Sequence, residues 1–298
     1  MIARAAIAAM WLVHGLPLGA LARIGSVLGA MLRLAARERQ KVCAINLARC
    51  LPEMSSAERK ELCARHFGII GRAVVERGLL WWGSRERIMQ TIRINGIGHL
   101  ERLRGKPVIL FAPHFLGLDA GFTRLSCEFD LAAIYANQKS LSMNDMLLKG
   151  RTRFGHQKMF SRQQGVRAAL SALREGTPLY YLPDQDYGPR DAVFTPFFGV
   201  PAATITGLSR LARLGGAAVL PCVTRMLPGG LGYEVRIYPP WEGFPGNNDT
   251  RDARRMNAFI EDRVRECPEQ YNWAHKRFKT RPPGEPRFYD NRDGSGKL

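Results

Sequence analysis

The hydrophobic pattern of this chain changes period once, about a third of the way along. From Ala5 to Ala22, "AAIAAMWLVHGLPLGALA" carries no formally charged side chain, and Gly15, Pro17 and Gly19 interrupt its middle. A second apolar stretch, Ile24 to Leu32, leads into the basic run "RLAARERQK". "MSSAERKELCARHFGIIGRAVVE" (54–76) opens with Ser55 or Ser56 as a helix cap and acids close behind. Its apolar residues Leu62, Phe67, Ile70 and Val74 recur at helical spacing. Residues 5–90 therefore read as helical. Strand patterns begin later, at "VILFA" (108–112), "LAAIYA" (131–136), "PLYYL" (178–182), "AVLPCVTR" (218–225) and "YEVRIYP" (233–239). The first and third are nearly continuous apolar runs, as strands covered on both faces require. Helical patterns at 143–154, 166–175 and 206–214 separate the strands, and a last helix is expected at 251–267. The alternation predicts an α/β fold: a largely parallel central sheet flanked by helices, preceded by an N-terminal helical membrane-associating region.

Composition narrows this picture. With 298 residues and 46% apolar content the chain can form a substantial core, which excludes disorder over most of its length. A formal charge of +18 favours polyanionic partners: nucleic acid, an anionic membrane face, or acidic proteins and phosphorylated substrates. The six cysteines (43, 50, 63, 127, 222 and 267) form no CxxC pair, and no histidines cluster. That argues against a zinc site and a disulfide framework, and for buried thiols in a reducing, cytoplasm-facing setting. The uncharged N-terminus fits one anchoring helix, two helices lying in the membrane interface, or an ordinary buried pair. Arg33, Arg37, Arg39 and Lys41 suit an anionic leaflet. The expected division is residues 1–40 as membrane anchor or interfacial helices and 41–290 as one catalytic domain, helical to about 95. Residues 291–298 form a polar tail.

Candidate chemistry centres on "VILFAPHFLGLDAG" (108–121). Pro113 cannot donate a ladder hydrogen bond, so the strand ends there and His114 sits at its carboxyl end, where open α/β sheets place working residues. Gly117 permits a tight turn, and a helix is expected to start near Asp119. A carboxylate that accepts from one imidazole nitrogen fixes the tautomer and stabilises the imidazolium once the other nitrogen takes a proton. That is machinery for deprotonating an alcohol. The plainer reading is that Asp119 caps a helix and His114 is a core residue beside Phe115. Asp184, Gln185 and Asp186 in "LPDQD" follow an apolar strand, so they too belong at the sheet's carboxyl edge. There they either fix loop geometry, the favoured reading, or contact a sugar.

"HFLGLD" (114–119) fits the His-four-residues-Asp motif of the glycerolipid acyltransferase superfamily. Downstream come "KGRTRFG" (149–155), "YYLPDQDYGPRDAVFTPFFGVPAAT" (180–204), "RLARLGGAAVLPCV" (210–223) and "NWAHKRFKTRPPGE" (272–285). In that order and spacing the chain resembles the late lipid A acyltransferases over nearly all of residues 5–290. The Glu-Gly-Thr phosphate-binding block of the glycerol-phosphate branch is missing. The resemblance implies a glycerol-phosphate-acyltransferase-like fold at the bacterial inner membrane, with the active domain on the cytoplasmic side. It implies direct transfer of a fatty acyl chain from an acyl carrier protein thioester to a hydroxyl of an anionic, Kdo-bearing lipid A precursor, with neither metal nor cofactor. His114 would be the general base and Asp119 its orienting acid, where many members carry Glu. Arg151 is the first candidate for oxyanion donor and Arg153 the second. Phe197 and Phe198 could line the acyl groove or be plain core. The basic stretch His275 to Arg287 could grip an anionic partner or be a solvated tail. One alternative keeps the chemistry with a lysophospholipid, ornithine lipid or other glycolipid as acceptor. Another is a non-catalytic nucleic-acid or membrane-surface protein. No zinc finger, RNA-binding aromatic motif or helix-turn-helix signal supports a nucleic-acid partner.

Overall fold

Apolar runs bounded by Gly and Pro become the strands of the central sheet. The protein is represented by a computed structural model that describes residues 2–162 and 166–290. The sheet contains β1 (Ile92–Asn95), β2 (Val108–Phe111), β3 (Ala132–Tyr135), β4 (Lys158–Ser161), β5 (Leu179–Tyr181), β8 (Ala218–Met226) and β9 (Tyr233–Ile237). Their order is β1-β9-β8-β2-β5-β3-β4, and only the β8–β9 pair is antiparallel. The expected largely parallel sheet is thus present. All four residues of β2 are buried, and the two sides of the strand face separate apolar clusters. Ile109 and Phe111 pack with Leu179, Val219 and Val223, while Val108 and Leu110 pack with Tyr180, Leu220 and Cys222.

Six helices form the lead-in: α1 (Ile2–Val13), α2 (Leu18–Ala35), α3 (Arg37–Cys50), α4 (Ser56–Val75), α5 (Arg77–Trp82) and α6 (Arg85–Thr91). Ser55 caps α4 in a reciprocal box. Its hydroxyl accepts from the Glu58 amide at 3.3 Å, and its own amide donates to the Glu58 carboxylate at 2.7 Å. The remaining helices are α7 (Ile97–Glu101), α8 (Leu118–Leu125), α9 (Leu141–Arg151), α10 (Val166–Arg174), α11 (Gly207–Gly215) and α12 (Asp249–Glu266).

Four strands escaped the pattern. β1 and β4 lie at the two edges of the sheet, where burial is partial and alternation weak. β6 (Ala192–Phe197) and β7 (Val200–Ile205) form a separate hairpin. Its two turn residues, Phe198 and Gly199, have φ of 50° and 74°. A primed two-residue turn needs positive φ at both positions, which usually means Asn-Gly. Phe198 takes that conformation while its ring stacks on Phe197 and Trp273.

The basic stretch after α12 is not a solvated tail. Phe278 is fully buried, and Arg277 donates to the Ala203 carbonyl at 2.7 Å and to the Thr204 hydroxyl at 2.9 Å. Aromatic spacing within the basic run, Trp273 and Phe278, is what draws it inward. The 291–298 tail lies outside the described residues. All six cysteines are free and buried, as their scatter suggested.

α2 crosses α4 through glycine. A Cβ on Gly71 would lie 2.0 Å from the Gly25 carbonyl oxygen, and one on Gly29 would lie 2.2 Å from the Phe67 carbonyl oxygen. The backbones therefore touch without intervening side chains. Beside this contact, Arg72 pairs with the buried Glu76 at 2.7 Å, and Tyr233 of β9 donates to the same carboxylate. Gly71→Val should force the helices apart and destabilise the protein by about 1–3 kcal/mol. Thermal denaturation checks this. A melting temperature equal to that of the parent would show that the crossing is not close-packed in solution.

Candidate active site

Strand register brings the key pair together. β2 and β5 are adjacent and parallel, with Phe111 opposite Tyr181. His114 and Asp184 each lie three residues beyond these partners, so two loops leave the sheet at one height. Asp184 is fully buried and accepts twice from His114. Imidazole Nδ1 donates to Oδ1 at 2.6 Å, and the His114 amide donates to Oδ2 at 2.9 Å. Burial alone would raise the Asp184 pKa. The opposing effects of the His114 charge, its hydrogen bonds and Arg277 leave it lowered. The carboxylate thus stays ionised, Nδ1 keeps its proton, and Nε2 is left as the free basic nitrogen.

This corrects the expected pairing of His114 with Asp119. Gly117 caps α8, and Asp119 in its first turn bonds to other partners. Its Oδ1 accepts from Arg151 Nε and Nη2 at 3.2 and 2.6 Å, and Oδ2 accepts from Arg77 Nη2 at 3.0 Å. Burial pushes the Asp119 carboxyl up, but Arg151 first and then Arg77 overcome it and hold it at about 2. Asp119 is therefore an anion clamped between two guanidinium groups from α5 and α9. Arg151 spends Nε and Nη2 on this clamp, which leaves Nη1 outside it.

One cavity of about 1010 Å³ joins these groups. His114, Asp119, Arg77, Arg151 and Gln185 line it, together with Leu170, Ile205, Leu211 and Leu214. Arg162, Arg190 and Arg210 add cationic groups to its wall. An apolar slot with a base and fixed cations can hold a hydrocarbon chain beside an ionic group.

Three expected site residues sit elsewhere. Phe197 is fully buried among Phe198, Tyr271 and Phe278, beneath the Arg277 guanidinium, so neither it nor Phe198 lines the cavity. Arg153 donates to the Gly83 carbonyl and stacks on Phe154 at 4.1 Å, which straps α9 to the end of α5. Other residues near the site were not expected. Arg77 opens α5, and no spacing in the sequence links it to Asp119. The segment after α12 braces the His114 loop. The Asn272 amide donates to the His114 carbonyl at 3.1 Å, and the Leu116 amide donates to the Gln270 carbonyl at 2.9 Å. Asp186 accepts from the Thr280 amide and hydroxyl at 2.6 and 2.8 Å, so of the "LPDQD" acids this one is architectural.

Fold and site together fit a membrane-associated acyltransferase: a mostly parallel α/β sheet, a strand-end histidine and an apolar cavity, preceded by apolar helices. Comparison with known proteins makes this specific. A sequence model of the bacterial lipid A biosynthesis acyltransferases matches residues 1–280, and the chain belongs to that family. It is 34% identical over 286 residues to the Escherichia coli lipid A biosynthesis lauroyltransferase, covering 95% of this chain and 93% of that protein. It is 34% identical over 283 residues to the Escherichia coli palmitoleoyltransferase, with 94% and 92% coverage. The Escherichia coli myristoyltransferase is 31% identical over 276 residues, with 92% and 84% coverage. Membership supports acyl transfer to a lipid A precursor.

Two imidazoles bear on the pH dependence of this region, the fully buried His66 and the half-buried His275. His66 Nδ1 donates to the Glu269 carbonyl at 2.9 Å, so Nδ1 carries the ring's proton. His275 Nε2 accepts from the Asp186 amide at 3.3 Å, which requires a neutral ring. Burial, chiefly, lowers both to about 4 from an ordinary 6.5. The unfolded chain binds protons that the folded one refuses, so stability should fall as pH drops from 6.5 toward 4. Melting temperatures across that window check this, and His66→Gln should flatten the slope. An unchanged slope in both His66→Gln and His275→Gln would contradict it.

Proposed function

We propose that this protein transfers a fatty acyl chain from an acyl carrier protein thioester to a hydroxyl of a Kdo-bearing lipid A precursor. His114 is the general base. The observation that carries this reading is the Asp184–His114 pair, which aims a basic Nε2 into an apolar cavity that also holds fixed cations. In the proposed step the acceptor oxygen attacks the thioester carbonyl while Nε2 takes the hydroxyl proton. Negative charge collects on the carbonyl oxygen, and Arg151 donates to it through Nη1 while Asp119, itself anchored by Arg77, holds the Arg151 guanidinium in place. Collapse breaks the C–S bond, and the imidazolium returns the proton to the departing thiolate. Asp184 takes the orienting part that the sequence motif suggested for Asp119.

Phosphates and acidic sugars on the acceptor fit the Arg162, Arg190 and Arg210 wall, and an acidic carrier protein fits the +18 surface. The inner membrane, with the cavity on the cytoplasmic side, is where such a donor and acceptor meet.

The test is mass-spectrometric detection of acyl gain by the detergent-solubilised protein. Acyl carrier protein donors are supplied, with tetra-acyl Kdo-lipid A precursor and lysophospholipids as competing acceptors. Gain of one acyl chain on the lipid A precursor is expected. His114→Ala should abolish it, and Asp184→Asn should lower turnover by roughly 10²–10⁴-fold. Arg151→Ala should lower turnover more than donor affinity. Gain only on a lysophospholipid would overturn the acceptor, and full activity of His114→Ala would overturn the base.

A further inference from the structure

α2 is the helix among the described residues that is long and apolar enough to cross a membrane. Its 18 residues span about 27 Å, close to a hydrocarbon core of ~30 Å. Length alone therefore permits spanning. The attachments at both its ends do not.

At the N-terminal end, Arg87 of α6 donates to the His14 carbonyl at 2.7 Å and to the Leu16 carbonyl, which pins the turn between α1 and α2. Gly19 touches the 3-10 turn Pro228–Gly230, where a Cβ on Gly230 would lie 2.6 Å from the Gly19 Cα. In the middle, Gly25 and Gly29 lie directly on the α4 backbone. At the C-terminal end, α3 follows after Ala36 and buries Val42, Cys43, Ile45 and Leu47. Asn46 of α3 donates to the Trp273 carbonyl at 2.8 Å, and Arg39 to the Ala274 carbonyl at 3.0 Å. Both ends of α2 are thus tied to the body that carries His114. Spanning would place one of those attachments, and the Arg87 charge, across the bilayer.

The opposite side of α2 has no cover among the described residues. Ile24, Val27, Met31 and Leu34 follow at helical spacing and are 41–70% exposed, and Trp11 and Leu12 of α1 are likewise exposed, at 55% and 76%. Arg4 of α1, Arg23 of α2 and Arg37, the first residue of α3, are exposed as well. Exposed apolar side chains flanked by arginines, with no acids in α1 or α2, complement an anionic leaflet rather than another basic protein surface.

We infer that α1 and α2 lie in the plane of one leaflet as a monotopic plate, sunk by the Val27–Met31–Leu34 face, and that no segment among the described residues crosses the bilayer. Leu147 of α9 packs on Met10 and Trp81 beneath α1 and also lines the cavity, so the plate and the cavity share a wall. This inference does not depend on the identity of the acyl donor or acceptor.

Two measurements on the full chain test it. In bacterial membranes, Arg4→Cys and Lys106→Cys should react with a membrane-impermeant maleimide from the same side. Reaction from opposite sides would establish a spanning α2 and overturn the inference. In vesicles of phosphatidylethanolamine and phosphatidylglycerol, fluorophores on Val27→Cys and Leu34→Cys should report one shallow depth. A difference near 10 Å, seven residues of axial rise, would again mean spanning. The triple change Val27→Asp, Met31→Asp and Leu34→Asp alters residues that are already exposed, so the parent melting temperature should persist in detergent. The vesicle-bound fraction should fall at least tenfold. Unchanged vesicle binding overturns the inference, as does a parent dimer that the triple change splits, which would make a second copy the cover of this face.

Discussion

The in-register parallel pairing of β2 with β5 is the constraint on which the site depends. Phe111 stands opposite Tyr181, and the following loops carry His114 and Asp184 the same distance beyond the sheet. A slip of one residue would turn the side chains of β5 to the other face and break both clusters that bury β2. The register is held from below by Leu179 and Tyr180, which are buried on opposite faces, and from above by two hydrogen bonds into one buried carboxylate. An ionised Asp184 inside the protein needs those donors, so loop geometry and imidazole tautomer are fixed by the same contacts.

A second electrostatic unit stands beside the first without merging with it. Asp119 is satisfied by Arg77 and Arg151, and neither guanidinium group is available to draw the carboxylate toward His114. The short aspartate side chain suits this role because α8 begins only one residue earlier, close to the end of α9. The two units divide the work in the proposed mechanism. One sets the protonation of a base, and the other holds a cation where negative charge develops. The segment from Gln270 to Thr280 closes behind the first, bonding to the backbone of His114 and Leu116 and to Asp186.

Much of this is legible in the amino-acid sequence itself. The buried strands announced themselves as apolar runs, and the α4 cap was written in Ser55 and Glu58. His114 was legible because a proline-terminated apolar strand must release its next residue at the sheet edge. Its partner was not, because proximity in sequence favoured Asp119. Asp184 lies 70 residues away and reaches His114 only through strand order. Arg77 was hidden for the same reason. Phe197, Phe198 and the basic stretch near Arg277 stayed undecided because composition does not say which way a side chain turns. A Phe-Phe pair beside glycine reads equally well as groove or core, and an arginine that covers an aromatic ring looks like a solvated charge.

The most direct measurement is the nitrogen-15 spectrum of the His114 side chain at neutral pH, in the parent and in the Asp184→Asn and Asp119→Asn proteins. A protonated Nδ1 with unprotonated Nε2 is expected in the parent and in Asp119→Asn, with that preference lost in Asp184→Asn. The reverse dependence, a tautomer indifferent to Asp184 and lost with Asp119, would contradict the pairing and return the orienting role to the residue in the His-four-residues-Asp motif.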